Sequence, residues 1–106
     1  MKSAGRGNII FIGATASRRG GAKTAAFAAA KAAQRSLAET LARTFWPAGI
    51  HVALIVIDGK IATPAGGDDD RLIKASAIAE IAYQLCQQDR SAWSFEVEAR
   101  PFLERW

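Results

Sequence analysis

The sequence predicts an α/β fold with the element order β-α-β-α-β and a three-stranded parallel sheet. Three observations carry this. Residues 8–12 (NIIFI) and Ile50–Ile57 (IHVALIVI) are apolar on nearly every consecutive position, the pattern of strands covered on both faces. Between them lies an Ala-rich stretch without Pro or Gly, from about residue 23 to residue 45, which favours helix. Beyond the second run, apolar residues recur at helical spacing and then alternate strictly with polar ones. Strands that alternate with helices imply parallel pairing and right-handed crossovers.

The elements follow in order. The first strand lies between Gly7 and Gly13 and leads into a Gly- and Ser-containing loop, residues 13–21. In the first helix Phe27, Ala30, Leu37, Leu41 and Phe45 fall near one face, and Pro47 and Gly49 stop it. The second strand is Ile50–Ile57. Residues 58–70 hold Gly59, Pro64, Gly66, Gly67 and three consecutive Asp, and read as one long mobile loop. A second helix spans about residues 75–88, with Ile78, Ile81, Ala82 and Leu85 on one face and Ser76 as its expected cap. Residues 93–98 (WSFEVE) alternate as a half-exposed, edge-like strand does.

Composition bounds the class. The chain has 106 residues, half of them hydrophobic and 23% charged. That excludes a disordered tail, a collagen-like repeat and a disulfide-stapled mini-protein, and one domain over residues 1–106 is expected. Cys86 is the single cysteine, so a reducing compartment, the cytoplasm, is the expected home. No apolar run reaches the ~20 residues that span a bilayer. Residues 1–45 hold eight basic residues against Glu39, a net +7, while the remainder nets −3. Such asymmetry suits an anionic ligand or a nucleic acid. No aromatic side chain interleaves the basic cluster as a stacking platform requires, which argues against nucleic acid.

Three loci carry candidate chemistry. The loop after the first strand stands where open α/β sheets bind ligands, yet Gly13 and the Gly20-Gly21 pair are not spaced as a dinucleotide fingerprint. An ordinary strand-to-helix connection would look the same. Lys31 sits amid alanines, one helical turn after Phe27; it either reaches a cleft or is a solvated surface residue. In the segment Asp58-Gly59-Lys60-Ile61-Ala62-Thr63-Pro64, Gly59 permits a sharp turn, and Thr63 either donates to a small ligand or merely starts the loop. His51 reads as a packed or backbone-bonded residue. With no metal-ligand cluster around it, no metal site is expected. Residues 68–70 read as a solvated loop, Tyr83 as packing, and the three Trp as packing or interface anchors.

Taken together, these segments resemble the C-terminal half of the short-chain dehydrogenases/reductases. The matching pieces are Gly7-Asn-Ile-Ile-Phe-Ile-Gly-Ala-Thr-Ala-Ser17, the helix segment AAFAAAKAA at residues 25–33, Gly49-Ile-His-Val52 and the Asp58-Gly-x-x-x-Thr63 loop. The tail SAWSFEVEARPF, residues 91–102, resembles the last strand of an atypical bacterial branch. The resemblance covers about residues 7–102 and implies a partial Rossmann-like fold. It also accounts for a difficulty already visible in the hydropathy. A strand apolar on both faces opens the chain, and it needs cover from a second copy or from an upstream half.

In that family a Tyr donates or accepts the proton, with a Lys four residues later and a Ser thirteen residues before the Tyr. An ordinary phenol, with a pKa near ~10, is a poor base at neutral pH, and an ammonium beside it favours phenolate. Carried over by position, Lys31 matches the Lys, Phe27 occupies the Tyr position and Ala14 the Ser position. Thr15 and Ser17 are the nearby hydroxyls, so the catalytic candidates are Lys31, Ser17 and Thr15. The cofactor-binding candidates are Lys31, Gly59 and Thr63, with Asp58 in place of the usual Pro. The resemblance implies NAD or NADP as cofactor, bound weakly or not at all by this chain alone. It also implies a small carbonyl or alcohol substrate and a homo-oligomer. A divergent oxidoreductase inactive as an isolated chain, and a non-catalytic oligomerisation module derived from the same fold, are the two functions it allows.

Overall fold

A computed structural model describes residues 1–15, 25–63 and 70–105. β1 (Gly7–Ala14) is followed by α1 (Ala25–Phe45), a 3-10 turn at Trp46–Ala48 and β2 (Ile50–Ile57). Next come the short β3 (Lys60–Ile61) and β4 (Leu72–Ile73), α2 (Ala75–Cys86), a second 3-10 turn at Arg90–Ala92 and β5 (Glu96–Ala99). The main sheet has the order β1-β2-β5, with both pairings parallel. Its register runs from Gly7 opposite Ile50 to Ala14 opposite Ile57, and from Leu54 opposite Glu96 to Ile57 opposite Ala99.

β2 is central, and all eight of its residues are buried. Its alternation feeds two cores. Ala53, Ile55 and Ile57 pack with Ile73, Ile78 and Leu85 on the α2 face. Ile50 and Val52 pack with Ala42, Phe45 and Trp46 on the α1 face. Each fully buried aliphatic side chain contributes roughly 1.5–3 kcal/mol, so β2 anchors the sheet. β1 is less well served. Ile9, Ile10 and Phe11 are partly buried, and Ile12 is 41% exposed. The cover that its hydropathy demands is thus incomplete at its carboxyl end.

The expected boundaries shift in places. α1 contacts the sheet through the small Ala28, Ala38 and Ala42, which let the helix approach closely. Phe27 and Leu37, expected on the packed face, are 51% and 52% exposed. α2 starts after Lys74 with no side-chain cap bond, so Ser76 does not cap it. β3, inside the expected loop, pairs in parallel with β4 just beyond it, a two-residue ladder too short to leave a periodic signal. The last strand starts only at Glu96, after a turn at Arg90–Ala92 that Asp89 caps, accepting from the Ser91 amide at 2.9 Å and its hydroxyl at 2.6 Å. Tyr83, expected to pack, is 62% exposed; α2 turns Ile78 and Leu85 inward instead.

His51 is packed and backbone-bonded, as its place at the start of a buried strand predicts. Its Nε2 lies 2.7 Å from the Ser94 carbonyl oxygen, which only accepts, so Nε2 donates. The ring stacks on Trp93 at 4.6 Å and meets the edge of Trp46 at 5.7 Å. Trp46 Nε1 in turn donates to the Val52 carbonyl at 3.0 Å. Two of the three tryptophans therefore pack the α1 end of the sheet. Gly49 takes a left-handed φ of 82°, where a β-carbon would also strike the Gly5 carbonyl.

Candidate functional site

A cleft of about 470 Å³ opens at the carboxyl ends of β1 and β2, where parallel sheets place their ligand sites. Its lining includes Ile12, Ala14 and Thr15 from the end of β1, Phe27 and Lys31 from α1, Ile57 from β2, and Gly59 and Ile61 beyond it. Pairing of Ala14 with Ile57 sets the floor. Lys31 reaches the cleft because it belongs to the sheet-facing stripe of α1. Residues 28, 31, 35, 38, 42 and 45, three or four apart, are all buried or half-buried.

The Lys31 ammonium donates to the Ile12 carbonyl and to Gln34 Oε1, each at 3.3 Å. Both acceptors are neutral, and Lys31 is the one ionisable group among the described residues that line the cleft. The Phe27 ring centroid lies 5.8 Å from Nζ, within cation–π reach. The group stationed against the ammonium is therefore an aromatic face with no proton to exchange. Gly59 also lines the cleft, with φ 141°. A β-carbon there would stand 2.9 Å from Pro101 Cδ and 3.4 Å from Glu104 Oε2.

Of the residues singled out in the sequence, the fold brings Thr15, Phe27, Lys31 and Gly59 to one cleft. Thr63 is exposed and stands apart from the described lining. Ser17 falls outside the described residues. Among the described residues no group of three or more His, Cys, Asp or Glu could hold a metal ion, and no described helix is long and apolar enough to cross a membrane.

Two features escaped the sequence. Arg35, one turn along the same stripe, donates to both Glu96 carboxylate oxygens at 3.3 and 2.7 Å and so ties α1 to β5. Hydrogen bonding to Glu96 raises the Arg35 pKa further above its ordinary value. Asp58, 7% exposed, accepts from Arg100 Nε at 3.0 Å beside Gly59. The signal for Arg35 was its spacing from Lys31; no local signal marks the Asp58 pair, whose partners are 42 residues apart. A second cavity of about 490 Å³ lies farther along α1 among Glu39, Arg43, Trp46 and Phe95. It holds none of the residues singled out for chemistry, and the ammonium-bearing cleft is the stronger candidate.

A family model for short chain dehydrogenase matches residues 1–71, two thirds of the chain. The chain belongs to the short-chain dehydrogenases. A crystal structure of a short-chain dehydrogenase from Rhodopseudomonas palustris is 43% identical and superposes with a TM-score of 0.76. The match covers 96% of this chain and 42% of that one, so this short-chain dehydrogenase sequence spans less than half the length of that relative. No curated protein matches it. The partial Rossmann-like fold expected from the resemblance is the one found, and the family's usual dependence on NAD(P) and its habit of oligomerising frame the reading of this cleft.

Proposed function

We propose that this chain carries the lysine side of an NAD(P)-dependent oxidoreductase site acting on a small carbonyl or alcohol, without that site's proton donor. One observation carries this reading: an unionisable Phe27 ring, in place of a phenol, stands 5.8 Å from the Lys31 ammonium. The ammonium fits the nucleotide side of such a site, since its acceptors among the described residues are two neutral oxygens at 3.3 Å and neither is a carboxylate. Ribose hydroxyls are acceptors of the same kind. Lys31 and Gly59 would hold the nucleotide, with Thr63 assigned by the family pattern alone. Bound NAD(P) supplies the hydride chemistry.

The proton side is unprovided. Ala14 offers no hydrogen bond to orient a carbonyl. Thr15 and Ser17 are the hydroxyls assigned to that task, and neither is a base at neutral pH. The chain is therefore inactive, and without glycines spaced as a dinucleotide fingerprint it binds NAD or NADP weakly at most. Titration with NADH and NADPH, followed by amide chemical shifts, tests this. Shifts at Lys31 and Gly59 without saturation below ~1 mM, a binding free energy near ~4 kcal/mol, are expected, and Lys31→Met abolishes them. Micromolar affinity for either nucleotide overturns the reading.

A second reading, a homo-oligomeric module over residues 1–106 that performs no catalysis, is favoured by the exposed Ile12, Phe27 and Leu37. With Cys86 free, a reducing, cytoplasmic setting suits both readings.

A further inference from the structure

We infer that the segment after β5 clasps the Gly59 rim of the cleft, with Arg100 as a positioning residue that acts through the buried Asp58 carboxylate. Three contacts converge on two adjacent residues. Arg100 Nε donates to Asp58 Oδ2 at 3.0 Å, and the same guanidinium grips Glu98 through Nη2. The Asp58 amide donates to the Ala99 carbonyl at 2.8 Å. The buried Pro101 ring lies against Gly59, near enough that a β-carbon on Gly59 would come within 2.9 Å of its Cδ.

Asp58 directly follows β2, whose eight residues are all buried, and is itself 7% exposed; a buried carboxylate needs a partner to remain charged there. Arg100 supplies that partner, with only 19% of its side chain exposed. Gly59, at φ 141°, has a backbone that its own side chain does nothing to restrict. The tail fixes it from outside. The part of the cleft lining at Gly59 is thus held by a segment about forty residues away in sequence. As a statement about a nucleotide rim, this rests on the reading under Proposed function.

Amide exchange measured by NMR on the intact chain tests the clasp. In Arg100→Gln the Asp58 amide exchanges roughly 10-fold faster through local opening. The Leu54 amide, which donates to Phe95 at the other end of the same pairing at 2.6 Å, keeps its rate. The double variant Asp58→Asn with Arg100→Gln recovers most of the protection, because no buried charge is left unpaired. Should Arg100→Gln fail to fold, Arg100→Lys keeps a charge beside Asp58 but loses the forked geometry, and roughly a threefold rise is expected. Equal acceleration at Asp58 and Leu54 overturns the clasp, for it means that Arg100 merely stabilises β5. An unchanged Asp58 rate overturns it as well. NADH at millimolar concentration separates the two proposals: shifts induced at Gly59 shrink in Arg100→Gln while those at Lys31 persist. If NADH moves neither residue in the unaltered chain, the nucleotide reading falls, and the exchange rates still decide the clasp.

Discussion

The ring beside the Lys31 ammonium is a phenyl, and that limits what the cleft can do with a proton. No described lining group other than Lys31 titrates. Adding a hydroxyl to that ring makes the coupling measurable. In a Phe27→Tyr variant the new phenol titrates below its ordinary value of ~10, because the neighbouring ammonium favours phenolate. The ultraviolet difference between the variant and the unaltered chain isolates the new phenol, and its step should fall below pH ~10. A difference step at ~10 or above would show that Lys31 does not act on position 27.

At the scale of elements, α1 does two jobs with one stripe. Its alanines set the close approach to the sheet, and the two long cations on the same stripe, Lys31 and Arg35, reach past it to the end of β1 and to Glu96 of β5. A stripe read for apolar residues alone passes over both, which is why Phe27 and Leu37 were expected inside. The turn that launches β5 depends on one carboxylate. Hydrogen bonds from the Ser91 hydroxyl and amide hold the Asp89 pKa below its ordinary 3.8. A depressed carboxylate contributes its stability above the unfolded-state value, and the contribution fades as pH falls through the lower folded value. The Ser91 amide resonance should therefore follow a titration centred below 3.8, and Asp89→Asn should remove that titration. A Ser91 amide that titrates at the ordinary value would contradict the capping role.

At the scale of the whole molecule, β1 is incompletely covered by the described residues. The Cα radius of gyration is 15.1 Å, against roughly 13 Å for a compact chain of this length. Ile12, Phe27 and Leu37 stand exposed, and the outer edge of β1 pairs with no strand among those described. Exposed strand edges and apolar surface favour association. Light scattering at roughly 100 µM, where modest interfaces are occupied, should give at least a dimer. Phe27→Glu, an exposed position, should shift the mass toward monomer without unfolding the chain. A monomeric mass for the unaltered chain would remove the oligomeric module.

The order of elements and the parallel sheet were already written in the sequence, because continuous apolar runs such as Ile50–Ile57 and the Pro- and Gly-free helix are local signals of burial and propensity. The alignment of Lys31 with Phe27 and of Gly59 beyond β2 was legible for the same reason, as spacing within single elements. Only the tertiary structure decided which face of α1 meets the sheet, that β3 pairs with β4, and that Arg100 reaches back to Asp58. These depend on contacts between residues far apart in sequence, whose free energy appears only once packing has brought the groups together and excluded water between them.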